Sequence, residues 1–142
     1  MAEAAADDLL AATEPDDSLP LEERLQDSLD RFVSYVASRG PAFISLVRGA
    51  SGGDAALQAV FDRAHDVVAR RVLDGLDMTE ADATPLLQIA LRGWVAFIEE
   101  CVVVWLVQGG ATRDEVVEVL KAALVAAAGA ADPGLREPFV QP

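Results

Sequence analysis

Between Leu86 and Val107 the chain reads LLQIALRGWVAFIEECVVVWLV, in which one glutamine, one arginine and two glutamates interrupt an otherwise apolar or small-residue run. At about 100° per residue, Gln88, Arg92 and Glu99 share one narrow stripe, and nearly every other direction around the helix is apolar. A helix that is hydrophobic almost all round must be covered almost all round. A bilayer is not the cover. The longest uncharged stretch, Cys101 to Thr112, contains two glycines and falls well short of the ~20 residues a membrane span needs.

Protein must therefore cover it, and the chain has little to spare. Its 142 residues suffice for one domain, which buries roughly 68–70% of its unfolded surface. Part of the covering is expected from a second copy. The last helical stretch makes the same demand, because Val116, Val117, Val119, Leu120, Ala123 and Leu124 cover a wide arc. Two antiparallel helices joined by Gly109-Gly110-Ala111-Thr112 can pair with their symmetry mates as a four-helix bundle. Val103, Trp105, Val116, Leu120 and Leu124 are the residues expected at that homodimer interface, which needs about 1,200–2,000 Å² to be stable.

The remaining helices are read from caps and periodicity. Residues 2–12 are helical in composition and open without a capping residue, and TEPDDSLP (13–20) is a linker of turn formers. From about Pro20 to Ser38, Leu21, Leu25, Leu29, Phe32, Val33 and Val36 recur at three- and four-residue spacing. Gly40-Pro41 ends that helix and starts a short segment, AFISLVRG. Asp54 caps a helix to about Leu76 with Leu57, Phe61, Ala64, Val68 and Val72 on its apolar stripe. The long helix starts near Asp82 or Thr84, with Pro85 tolerable in its first turn, and stops at Gly109-Gly110. Thr112-Arg113-Asp114-Glu115 is a capping box opening the final helix. The expected fold is all-α: an antiparallel bundle of about five to six helices over residues 1–129, the last two forming the dimeric four-helix bundle, then a disordered tail at 130–142.

Several functions are excluded by chemistry. Twenty-four acidic against eleven basic residues give a net charge of −13, which repels a phosphate backbone over most of the surface. The lone Cys101 cannot form an internal disulfide, and its apolar neighbours make it inert packing. The opening MAEAAADDLL has neither the basic nor the apolar region of a signal peptide, so a cytoplasmic setting without membrane contact is expected. No nucleophile elbow, HExxH, phosphate loop or Cys/His pair is present, so no enzyme and no cofactor is expected. His65 lacks a second histidine or cysteine at ligand spacing and is not a metal site.

What remains is a binding pocket. Such pockets are mostly apolar with a few polar groups that fix orientation, and Tyr35, Phe43, Phe61, His65, Trp94 and Phe97 are the candidate wall. Tyr35 and Trp94 carry polar handles that need partners when buried. Arg92 and Glu99 are costly to bury unless paired, so ion pairs are the expected reading for both.

The segments RGWVAFIEECVVVWLVQGGATRDEVVEVLKAAL and LEERLQDSLDRFVSYVASRGPAFISLVRG, with the SGGD turn, resemble the C-terminal ligand-binding and dimerisation domain of TetR-type transcriptional regulators over roughly residues 2–129. The resemblance implies a homodimer through the last two helices and an apolar effector pocket in each subunit. It further implies a repressor that reaches DNA only through an N-terminal helix-turn-helix domain, which this chain lacks. The alternative is a headless helical module that dimerises with itself or an intact regulator and needs no ligand.

Overall fold

The computed structural model describes residues 2–135, which form six α-helices and, among the described residues, no strand. They are α1 (Ala2–Ala12), α2 (Leu21–Ser38), α3 (Gly40–Ser51), α4 (Ala55–Gly75), α5 (Pro85–Gln108) and α6 (Arg113–Ala131). The fold is all-α, as expected. α5 and α6 form an antiparallel hairpin, α2 lies against α6, and α4 bridges α1, α3 and α5.

The starts of α4, α5 and α6 each have a local cause. Asp54 accepts a hydrogen bond from the Leu57 amide at 3.1 Å, and Thr84 Oγ1 accepts from the Leu87 amide at 3.1 Å. The capping box of α6 is complete: the Glu115 amide donates to Thr112 Oγ1 at 3.1 Å, and the Thr112 amide donates to Glu115 Oε1 at 2.9 Å. Gly109 and Gly110 take φ values of 67° and 87°, where a side chain would be strained. The Trp105 indole N–H closes that turn by donating to Ala111 O at 2.8 Å.

Two segments differ from the sequence reading. The short segment that Gly40-Pro41 starts is a twelve-residue helix, α3, because proline in the first turn of a helix removes no hydrogen bond that the helix needs. At the other end, α6 runs to Ala131, and Pro133–Leu135 forms a 3₁₀ turn whose Leu135 packs against the core. The expected tail is therefore built into the fold as far as Leu135, and its residues 136–142 lie outside the described residues.

The core runs through all of the long helices. Leu87, Leu91 and Val102 of α5, Val117, Leu120 and Leu124 of α6, and Val33 and Val36 of α2 are almost completely buried. Truncating any of these leucines to alanine removes about 2–5 kcal/mol. Val103, Val116, Leu120 and Leu124, expected at a dimer interface, lie in this intramolecular core and expose at most 9% of their surface. Trp105 is half-buried and engaged at the turn. Both arcs are apolar on more than one side, and the wheel argument assigned the inward side to the partner.

The outward side is a different set. Leu86, Ile89, Phe97, Val104 and Val107 of α5 are exposed, as are Gly93 and Ala96 between them. At 100° per residue these positions fall within roughly one 100° arc. On α6, Val119, Ala122 and Ala126 repeat the pattern at three- and four-residue spacing. The polar stripe of α5 is turned toward α4: Arg92 pairs with Asp66, and Glu99 with His65. Both are interhelical ion pairs.

Candidate functional site

All six helices border a cavity of about 150 Å³, α6 through Leu124. α1 contributes Leu9 and Leu10, α2 Leu25, Leu29 and Phe32, α3 Phe43, α4 Phe61, Ala64, Val68 and Val72, and α5 Trp94, Val95 and Ile98. The wall is overwhelmingly apolar, which is the composition of a small-molecule site. A dry apolar cavity of this order holds a ligand of about one aromatic ring.

Of the residues expected to line a pocket, Phe43, Phe61, His65 and Trp94 do so. Phe61 and His65 meet edge to face with ring centroids 6.0 Å apart, and Phe32 meets Phe43 in the same way at 6.3 Å. Trp94 shows only its ring, because its buried indole N–H donates to Leu120 O at 2.9 Å and ties α5 to α6. Tyr35 and Phe97 do not line the cavity. Phe32 is the last α2 residue to do so, and Tyr35, farther on, lies beneath the Arg39 guanidinium at 3.9 Å. Phe97 belongs to the exposed stripe of α5, with 40% of its surface open.

The polar groups of the cavity are few. His65 Nε2 lies 2.7 Å from Glu99 Oε1, with both side chains at least three-quarters covered. The contact is short, and charge attraction between partly desolvated groups contributes to it. Glu99 raises the pKa of His65 above the ordinary imidazole value, against the opposing effect of burial, and Asp62 adds to the rise while Arg92 detracts from it. Burial, with Glu100 nearby, pushes the Cys101 thiol up and keeps it protonated and unreactive.

Four further polar residues line the cavity that sequence reasoning passed over: Thr13, Arg24, Ser28 and Arg71. Arg71 donates to Leu10 O at 2.8 Å and to Thr13 Oγ1 at 3.3 Å, and so fastens the end of α1 onto α4. Arg31 holds the same end through Ala12 O at 2.8 Å and Glu14 O at 2.5 Å. The Leu10 and Ala12 carbonyls are orphan acceptors of a helix C-terminus, where cations are favoured. The sequence held one signal for Ser28: a hydroxyl set within the leucine-rich face of α2, between Leu25 and Leu29.

Among the described residues, no group of three His, Cys, Asp or Glu is placed to hold a metal ion, and no helix is long and apolar enough to cross a membrane. A comparison with curated proteins finds no match. The chain is similar in structure to a TetR-family transcriptional regulator from Streptomyces coelicolor, with a TM-score of 0.80 and 26% sequence identity. That likeness covers 97% of this chain and 63% of the other, so the chain spans less than two thirds of the regulator's length. The family model described as "Tetracyclin repressor-like, C-terminal domain" matches residues 21–127, from the start of α2 to near the end of α6. With three-quarters of its length matched, the chain belongs to the family of TetR-like C-terminal domains, which are regulatory and not enzymatic.

Proposed function

We propose that this chain is the effector-sensing and homodimerising domain of a TetR-like transcriptional repressor. The observation that carries the reading is the cavity: an apolar space of about 150 Å³ within a single chain, walled by aromatic rings and bounded by a few polar groups. An apolar molecule of about one ring fits that wall. Because α1 supplies part of it through Leu9 and Leu10, occupancy changes how α1 sits on α2 and α4, and differential affinity for two such arrangements is what a regulatory ligand requires. Contact with DNA belongs to a part of the regulator outside this chain, consistent with a surface of net charge −13, and the whole acts in the cytoplasm. The dimer is formed by the exposed stripes of α5 and α6, not by their buried sides, and its contact is isologous.

Thermal melting with benzene, toluene or indole as probes tests the sensing part. A ligand at a hundred times its dissociation constant stabilises a folded protein by about 2.7 kcal/mol, which corresponds to a rise of roughly 5–10 °C for a domain of this size. No rise with any of the three probes refutes an open effector cavity.

A further inference from the structure

The cavity's charge differs in sign from that of the protein. Its titratable lining consists of Arg24, Arg71, His65 and Glu99, in a chain that carries 24 acidic residues and 11 lysines and arginines. His65 and Glu99 answer each other. Both arginines are left with uncharged partners: Arg24 donates through Nε and Nη2 to Leu19 O at 3.3 and 3.0 Å, and Arg71 donates to Leu10 O and Thr13 Oγ1. No carboxylate among the described residues stands within ion-pair distance of either one. Two positive charges beside an apolar space thus have no carboxylate in contact, Glu14 acting on Arg71 and Asp16 on Arg24 only from a distance.

The neighbourhood of Arg24 is also geometrically open. Its Nη1 has no partner among the described residues. Gly75 faces it, and a Cβ at Gly75 would come within 3.9 Å of Nη1 and 3.1 Å of Leu21 Cδ1, so the glycine keeps that space clear. One turn along α2, Ser28 lines the same cavity with a buried Oγ that finds no hydrogen-bond partner among the described residues. A buried hydroxyl without a partner is costly. Residues four apart on a helix share a face, so Arg24 and Ser28 present two donors side by side. Along α4 a rise of 1.5 Å per residue puts Arg71 roughly 9 Å from His65. The arginine end and the aromatic end of the cavity are therefore separate places.

We infer that the effector is an amphipathic anion: a carboxylate held by Arg24 and Ser28 in the field of Arg71, with an apolar body of about one ring against Phe61 and Trp94. The inference rests on the effector-cavity reading above and specifies the chemistry of its ligand. Arg24 supplies charge-assisted hydrogen bonds, the stronger kind, and Ser28 supplies a donor that is otherwise idle.

Isothermal titration with three probes sharing one apolar body tests it: 3-phenylpropanoate, 3-phenylpropan-1-ol and 3-phenylpropylamine. The carboxylate is expected to bind at least tenfold more tightly than the alcohol, and the amine most weakly. Arg24→Gln is expected to bring carboxylate and alcohol to within about twofold, and Ser28→Ala to weaken the carboxylate several-fold with the helical circular dichroism intact. Should Arg24→Gln fail to fold, the Ser28→Ala variant and the loss of carboxylate affinity at high salt decide. Equal or tighter binding of the alcohol or the amine overturns the anion while leaving the effector cavity in place. Failure of all three probes, with benzene still bound, does the same; failure of benzene as well removes the cavity reading too.

Discussion

Ile89 separates the two sides of α5 by experiment. It exposes 67% of its surface, and full burial of an isoleucine is worth about 1.5–3 kcal/mol. About two thirds of that, roughly 1–2 kcal/mol, is available to a partner subunit and absent from the single chain. A twofold interface counts the residue twice, so Ile89→Ala is expected to weaken the dimer by about 2–4 kcal/mol. At 1.4 kcal/mol per factor of ten, the dissociation constant rises by roughly 30- to 700-fold. The folded monomer loses only the remaining third, about 0.5–1 kcal/mol. Sedimentation equilibrium reads the first quantity and urea denaturation at low protein concentration the second. Leu120→Ala is the control: the residue is fully covered within its own chain, so its cost of about 2–5 kcal/mol falls on the fold. A wild-type chain that stays monomeric at every concentration, or an Ile89→Ala dimer of unchanged affinity, refutes the assignment of the exposed stripe.

Two further outcomes concern the single chain. His65 has a folded pKa raised chiefly by Glu99 above its unfolded value of about 6.5. Its contribution to stability is therefore fully present below the unfolded value and disappears as pH rises through the raised folded one. The gap in unfolding free energy between wild type and His65→Gln is expected to be larger at pH 6 than at pH 9; an equal gap at both shows that the pair is not a charge interaction. Thr112→Ala removes the reciprocal cap of α6 at a cost of about 1 kcal/mol, expected to lower the melting temperature by roughly 2–4 °C in calorimetry.

Where a helix starts and stops depends on neighbours along the chain, and much of that was readable: Asp54 and Thr112 cap as their sequence context implies, and Thr84 caps α5 at one of the two starts the sequence allows. For α3 the sequence shows only a short segment, because Gly40-Pro41 reads equally as a stop and as a first turn. Which side of an apolar helix faces home depends on the other helices, and no wheel supplies that. Val103, Val116, Leu120 and Leu124 illustrate it. Tyr35 illustrates the matching gap in height, since periodicity gives an angle around α2 but not the level at which the cavity ends. Phe43, Phe61, His65 and Trp94 were found because a composition rule for pockets needs no tertiary contact. Arg24 and Arg71 were not, because an arginine on an amphipathic helix normally ends in water.

α5 meets the core on one side, α4 through Arg92 and Glu99 on another, and the exterior through Leu86, Ile89 and Val107 on a third. A single residue inserted between Leu91 and Ile98 would turn everything downstream by roughly 100°, exchanging all three surroundings at once. Val102 would leave the interior, and Glu99 would lose His65. Substitutions in this helix act one contact at a time, whereas a change of length acts on every contact beyond it. Descendants of this sequence can therefore gain or lose residues in the connections at 13–20 and 76–84, while the 24-residue count of α5 stays fixed.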